Sequence, residues 1–262
     1  MDATTKKTKN KKKYIAGSMS AVLVFVLVFV CIWYVNDYYR ADKTAMEAFP
    51  VVGEVTRTVL ADGTVVFEPE QAEAGFIFYP GGKVEHTAYE PLLQTLAAEG
   101  VLCVLVEVPL RLAILDIDAA EGIAEQYPKV ENWYIGGHSL GGSAAAMYLE
   151  EHTEEFEGLI LLGSYSTVDL SEEEFAVLSV YGSEDGVLNK DNYLECKENL
   201  PQDFLEFVIK GGCHAYFGVY GEQAGDGTPT ISNVEQIQIT VEQVVDFMQI
   251  TENVHRDERS ME

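Results

Sequence analysis

Positive charge is scarce in this sequence, with 17 Lys and Arg against 43 Asp and Glu over 262 residues and a formal net charge of −26. Six of those bases (Lys6, Lys7, Lys9, Lys11, Lys12 and Lys13) fall within residues 1–13, so eleven basic residues face forty-two acidic ones over the rest. A surface that negative repels phosphate backbones, which excludes nucleic acid as a partner. Cysteine is sparse too. Cys31 lies in an apolar run near the N-terminus, and the odd number left outside it (Cys103, Cys196, Cys213) argues against a disulfide framework, although a Cys196–Cys213 bridge stays open. No internal repeat is present, and no metal or cofactor is expected.

Long hydrophobic runs are also absent, with one exception. Residues 14–35 contain no charged side chain. At about 1.5 Å of helical rise per residue such a run crosses roughly 30 Å of hydrocarbon. It exceeds the roughly 7–15 apolar residues of a cleavable signal peptide, and no small-x-small site follows it closely. A retained transmembrane helix at 14–36 is therefore expected, after a basic cytoplasmic segment at 1–13. The lysines before it and Asn36-Asp37-Tyr38-Tyr39 after it orient the N-terminus to the cytoplasm and the rest of the chain outside the cell membrane, with Trp33, Tyr34, Tyr38 and Tyr39 as an interfacial belt. Bulky Val30 before Cys31 argues against lipidation at that cysteine.

Residues 37–52 read as a juxtamembrane linker, 53–251 as one α/β domain, and 252–262 as a charged, frayed tail. The domain opens with Val55–Leu60 and Val65–Phe67 around Asp62-Gly63, a hairpin-turn signal. Short continuous apolar runs follow at Gly75–Tyr79, Val101–Val106, Trp133–Gly136, Leu159–Leu162, Val177–Tyr181 and Phe204–Ile209. Helix-like stretches lie between or after them at Tyr89–Glu99, Asp118–Gln126, Leu140–Glu151, Lys190–Asn199 and Asn233–Thr251. Strands that are apolar throughout are buried on both faces, which predicts a three-layer α/β/α sandwich around a mostly parallel sheet.

Gly137-His138-Ser139-Leu140-Gly141 has the pattern of a nucleophile elbow: an apolar strand, a tight turn carrying a serine, and a small-residue helix that leaves at once. Gly137 and Gly141 remove side chains that would collide with the neighbouring strand and helix. The helix N-terminus directs free N–H groups at the serine, where an oxyanion would form. His138 occupies the variable position of the turn and reads as a packing or hydrogen-bonding residue.

With the elbow, Tyr79-Pro80-Gly81-Gly82-Lys83, Tyr181-Gly182-Ser183-Glu184-Asp185-Gly186 and Gly211-Gly212-Cys213-His214-Ala215-Tyr216-Phe217-Gly218, the chain from Gly75 to Thr251 resembles the α/β-hydrolase superfamily. The likeness is to small, lidless serine hydrolases akin to dienelactone hydrolases. The resemblance implies a triad in the order Ser139, Asp185, His214, with Glu184 as the competing acid. It also implies oxyanion donors at Gly82 and Leu140, the first open to a one-residue slip onto Gly81 or Lys83. Cys213 stands where such relatives often carry a polar residue, and reads as packing.

The expected activity is a membrane-anchored serine hydrolase acting on an acyl ester, lactone or thioester through an acyl-enzyme. A peptidase or amidase on the same triad, and a catalytically silent binding protein on the same scaffold, are the alternatives. Only Gly163–Ala176 separates two of the strands where related enzymes insert a cap, so no large lid is expected. A preference for long acyl chains would instead imply that another loop, such as Tyr220–Ser232 with its Gly221, Gly225 and Gly227, closes over the site. The partner is a small-molecule acyl substrate. Oligomeric state is not legible.

Overall fold

The computed structural model describes residues 22–50 and 53–261, with side chains through Val254. It divides into two compact units, Met1–Tyr38 and Tyr39–Glu262. In the first, residues 22–36 are helical (α1). No helix among the described residues is long and apolar enough to cross a membrane. The earlier part of the expected span, 14–21, and the basic segment 1–13 lie outside the described residues.

The second unit contains an eight-stranded sheet of β1 (Val55–Val59), β2 (Val65–Pro69), β3 (Ala74–Tyr79), β4 (Val101–Leu105), β5 (Asn132–His138), β6 (Gly158–Leu162), β7 (Ala176–Gly182) and β8 (Leu205–Ile209). The order across the sheet is β1-β2-β4-β3-β5-β6-β7-β8. β2 pairs antiparallel with β1 and with β4, and all other pairs are parallel. All eight expected strands are present. Successive side chains of β3 point to opposite faces. Phe76 and Phe78 join one core with Leu92, Leu93 and Leu96 of α3 (Glu90–Ala98) and Ile237, Val241 and Phe247 of α6 (Asn233–Met261). Ile77 and Tyr79 join the other with Ala144, Ala145 and Leu149 of α4 (Leu140–Leu149). Both faces are thus covered, which is why these strands read as unbroken apolar runs.

Two helical expectations are corrected. Asp118–Gln126 forms no α-helix; the chain from Pro109 to Gln126 is a series of 3-10 turns. Gly122 at φ 68 interrupts any right-handed run there, and the buried Tyr79 hydroxyl donates to Ile117 O while accepting from Ala120 N. At the C-terminus the backbone of α6 stays helical to Met261, past the point where a frayed tail was expected. In the segment read as a linker, α2 (Lys43–Met46) is capped by Asp42, whose side chain accepts from Ala45 N. Tyr39 bridges to Val84, and Asp42 N donates to Val219 O, so the folded unit begins at Tyr39. The remaining helix, α5 (Lys190–Cys196), is capped by Asn189, whose side chain accepts from Asn192 N.

Strand register brings the candidate site residues to one edge of the sheet. Tyr79 lies abreast of Gly137, His138 abreast of Leu162, and Gly182 abreast of Ile209. The loops that follow these positions carry Gly82, Ser139, Gly163, Asp185 and His214. This is the carboxyl edge, where open parallel sheets hold their ligands.

Candidate active site

Ser139 leaves β5 at φ 52, one of four non-glycine residues with positive φ among those described. That conformation costs about 1–2 kcal/mol for a residue with a Cβ. Neighbours hold it in place: Ser139 N donates to Leu162 O, and the Ser164 hydroxyl donates to Ser139 O at 2.7 Å. The turn is also packed on backbone. A Cβ on Gly137 would stand 2.4 Å from Tyr79 O, and one on Gly141 would stand 2.3 Å from Tyr79 O.

Ser139 is the N-cap residue of α4, a position where serine ordinarily accepts a hydrogen bond from a first-turn amide. Here its side chain makes no cap bond. The hydroxyl is partly exposed and the helix N-terminus is left without its usual oxygen acceptor.

His214 is buried, and its Nδ1 lies 2.8 Å from Asp185 Oδ2. The other carboxylate oxygen, Oδ1, accepts from Val187 N at 2.9 Å and Leu188 N at 2.8 Å, so Asp185 is fixed by its own loop. With Nδ1 donating to the carboxylate, Nε2 carries the lone pair. Nε2 is buried and has no hydrogen-bond partner, and no bond to Ser139 Oγ is closed. Such nucleophile–base contacts are often long before substrate binds. Glu184, the competing acid, is exposed and accepts from Ser183 Oγ instead.

Of the three glycine-strand amides, two are already committed. Gly81 N donates to the Tyr89 hydroxyl and Lys83 N donates to Arg111 O. The amides of Gly82 and Leu140 donate to no group among the described residues, and a Cβ on Gly82 would touch Leu140 Cδ2 at 3.0 Å. The one-residue slips are thereby disfavoured by hydrogen bonding.

Sequence reasoning missed three supports. Gly163, at φ 53, faces the acid–base pair: a Cβ there would stand 3.1 Å from His214 Nδ1 and 3.3 Å from Asp185 Oδ2. Ser164 is the second. The third is Asp226, whose Oδ1 accepts from Gly186 N, His214 N and Gly227 N while Oδ2 accepts from Ala215 N. One carboxylate thus clasps the acid loop to the base loop. The only sequence signal for it was a turn-like Gly225-Asp226-Gly227.

Burial is the largest influence on Asp226 and pushes its pKa up, but the four amides outweigh it and leave the carboxyl below its ordinary value. A folded pKa below the unfolded one means stability that is present above the unfolded value and lost as pH falls through the folded one. Asp226→Asn should therefore lower Tm at pH 7, because an NH2 group replaces an oxygen that faces N–H donors. The gap from wild type should narrow as pH drops below the ordinary carboxylate range. Thermal melts across pH check this, and a gap that widens on acidification refutes it. Cys213 is buried beside the same carboxylate. Burial first and the Asp226 charge second push its thiol up to about 12, so it stays protonated at neutral pH, in keeping with a packing role.

The Tyr220–Ser232 loop is tied down by these bonds and by Thr230 N, which donates to Gly211 O. Between β6 and β7 no helix is inserted, and residues 163–175 fold as turns tied to Asn199 through Ser166 O and Leu170 N.

A family model described as Alpha/beta hydrolase family matches residues 75–238. No curated protein matches the chain by sequence. Among solved structures the chain is similar to a dienelactone hydrolase from Anabaena variabilis ATCC 29413, at 14% identity and TM-score 0.55, covering 74% of this chain and 98% of that one. It is similar to a serine hydrolase involved in carbazole degradation, the CarC enzyme, at 12% identity and TM-score 0.56, covering 75% and 100%. Est1E from Butyrivibrio proteoclasticus matches at 14% identity and TM-score 0.54, covering 75% and 98%. At these identities the likeness is one of fold. Since the family match runs from the first parallel strand through the elbow and into α6, the chain belongs to the alpha/beta hydrolase family.

Proposed function

We propose that the protein is a serine hydrolase that cleaves an acyl ester, lactone or thioester through Ser139, His214 and Asp185. The observation that carries this reading is the serine held at φ 52 on a helix it does not cap, at the sheet edge where a buried histidine presents an unpartnered Nε2. In the proposed reaction His214 Nε2 takes the Ser139 proton as Oγ attacks the carbonyl carbon. Asp185 stabilises the imidazolium, and the amides of Gly82 and Leu140 receive the oxyanion. His214 then returns the proton to the departing alcohol or thiol. Water, activated by the same imidazole, hydrolyses the acyl-enzyme.

The absence of a helical cap between β6 and β7 supports an open mouth and small or exposed substrates. The uncharged run at 14–35 supports membrane attachment, with the catalytic domain outside. No cofactor takes part in the proposed reaction.

A fluorophosphonate probe should label the folded full-length chain once, and Ser139→Ala should abolish the labelling. Absent or unchanged labelling would sink the serine-hydrolase reading. In a panel of esters graded by acyl length, with matched amides, turnover should favour short esters; a long-chain or amide preference would overturn the substrate class.

A further inference from the structure

The elbow histidine and the oxyanion strand are joined by one buried hydroxyl. Tyr89 is fully buried, and its oxygen accepts from Gly81 N at 3.1 Å and lies 2.8 Å from His138 Nδ1. A phenol has a single proton to give. No other acceptor for that proton lies within hydrogen-bond distance among the described residues, so it goes to His138 Nδ1, which is then the unprotonated nitrogen. His138 is therefore neutral with its proton on Nε2. Its ring packs against that of His214 with centroids 4.4 Å apart. Nε2 is buried and meets no partner at full hydrogen-bond geometry among the described residues, with the His214 backbone beside it. Gly81 is shaped to this pair, since a Cβ there would stand 2.5 Å from the Tyr89 oxygen and 2.8 Å from His138 Nδ1.

We propose that Tyr89 is a positioning residue for the oxyanion site: by fixing the Gly81 amide and the tautomer of His138 together, it aims the following Gly82 amide and seats the ring against which His214 works. The inference rests on the serine-hydrolase reading and deepens it. Three elements meet at this hydroxyl: the loop after β3 that carries the proposed donor, the elbow that carries the proposed nucleophile, and α3, whose N-cap residue is Tyr89 itself.

The chemistry supports a role beyond filling space. A phenylalanine would pack the same ring against Phe78 and Tyr220, at centroid distances of 5.1 and 6.3 Å, without a buried oxygen to satisfy. The hydroxyl adds orientation. With Gly81 N–H held by Tyr89 and Lys83 N–H held by Arg111 O, the peptide between them has its N–H free. A donor preset in this way loses no energy to reorganisation when charge develops on the carbonyl oxygen. The neutral His138 keeps a second positive charge away from the imidazolium that the reaction creates. Burial, then the neighbouring His214, hold its pKa well below the ordinary histidine value, with the His214 backbone acting weakly the other way.

The test is Tyr89→Phe in the full-length chain, assayed on the best short ester. Kcat should fall about tenfold or more with KM within about twofold, since a misaimed donor forfeits part of the roughly 10²–10³ that a whole oxyanion donor supplies. An unchanged kcat, or a loss confined to KM, overturns the proposal. Should that variant fold poorly, histidine-selective ¹⁵N NMR of the wild type reads the lock directly. His138 should show a protonated Nε2 and an unprotonated Nδ1, and the opposite tautomer or a doubly protonated ring refutes it. The tautomer readout needs no turnover. Loss of probe labelling in the wild type would therefore count against the hydrolase reading alone.

Discussion

Ser139→Ala should lower kcat for ester hydrolysis by roughly 10⁴- to 10⁶-fold, and His214→Ala should cost nearly as much, while the double variant should be no slower than either single one. The non-additivity follows from the geometry. His214 Nε2 has one proposed task, to take the serine proton, and Ser139 Oγ is a poor nucleophile without it. Removing either member therefore removes the whole covalent route. What survives is attack by water on a carbonyl polarised by the Gly82 and Leu140 amides. Asp185→Asn should cost somewhat less, because Val187 N and Leu188 N still hold the side chain while its amide can no longer accept the His214 Nδ1 proton in the required tautomer. Steady-state kinetics on an activated short ester measure all four variants. Losses that multiply in the double variant, or more than a tenth of wild-type kcat left in Ser139→Ala, would refute the triad.

The second large effect is on stability. Gly141→Ala should destabilise the fold by about 3 kcal/mol or more, because overpacking here cannot be relieved by turning a side chain. The new methyl would stand 2.3 Å from Tyr79 O and 2.5 Å from Pro80 O, both backbone atoms of the strand and turn that lead to Gly82. For a domain of this size that corresponds to a fall in Tm of about 6–12 °C. Gly221→Ala is the control. Unlike helical Gly141, Gly221 has positive φ, 81, but nothing lies within 4 Å of an added Cβ, so only a backbone penalty of about 1 kcal/mol should appear. Equal melting temperatures for the two variants would show that close packing at the elbow is not what demands glycine.

The sheet was legible because burial on both faces leaves its mark on every residue of a strand. Phe76, Ile77, Phe78 and Tyr79 serve opposite cores in turn, so all must be apolar. The candidate site was legible because the elbow motif needs glycines within a five-residue window, and because the resemblance carried by the later loops implies an acid and then a histidine. What could not be read depends on contacts distant in the chain. The Tyr79 hydroxyl captures backbone groups some forty positions away and, with Gly122 at φ 68, turns an expected helix into 3-10 turns. Asp226 was hidden for a similar reason, since its four partners come from three separate stretches of the base, acid and glycine loops. In the sequence Tyr89 is only the first residue of a helix-like stretch. Only the fold shows that its oxygen meets the elbow.

The clasp made by Asp226 divides the mouth of the site into two kinds of ground. On one flank the acid and base loops share a single carboxylate, so a substitution there disturbs two chemical groups at once. On the other flank the 3-10 turns after β4 expose Leu110, Ile114 and Leu115, while their backbone meets the oxyanion strand at Lys83 N. Variation in substrate preference has an easier path through that second flank, where side chains can change without moving the imidazole. A library restricted to positions 110, 114 and 115 should shift selectivity among esters while leaving fluorophosphonate labelling of Ser139 intact.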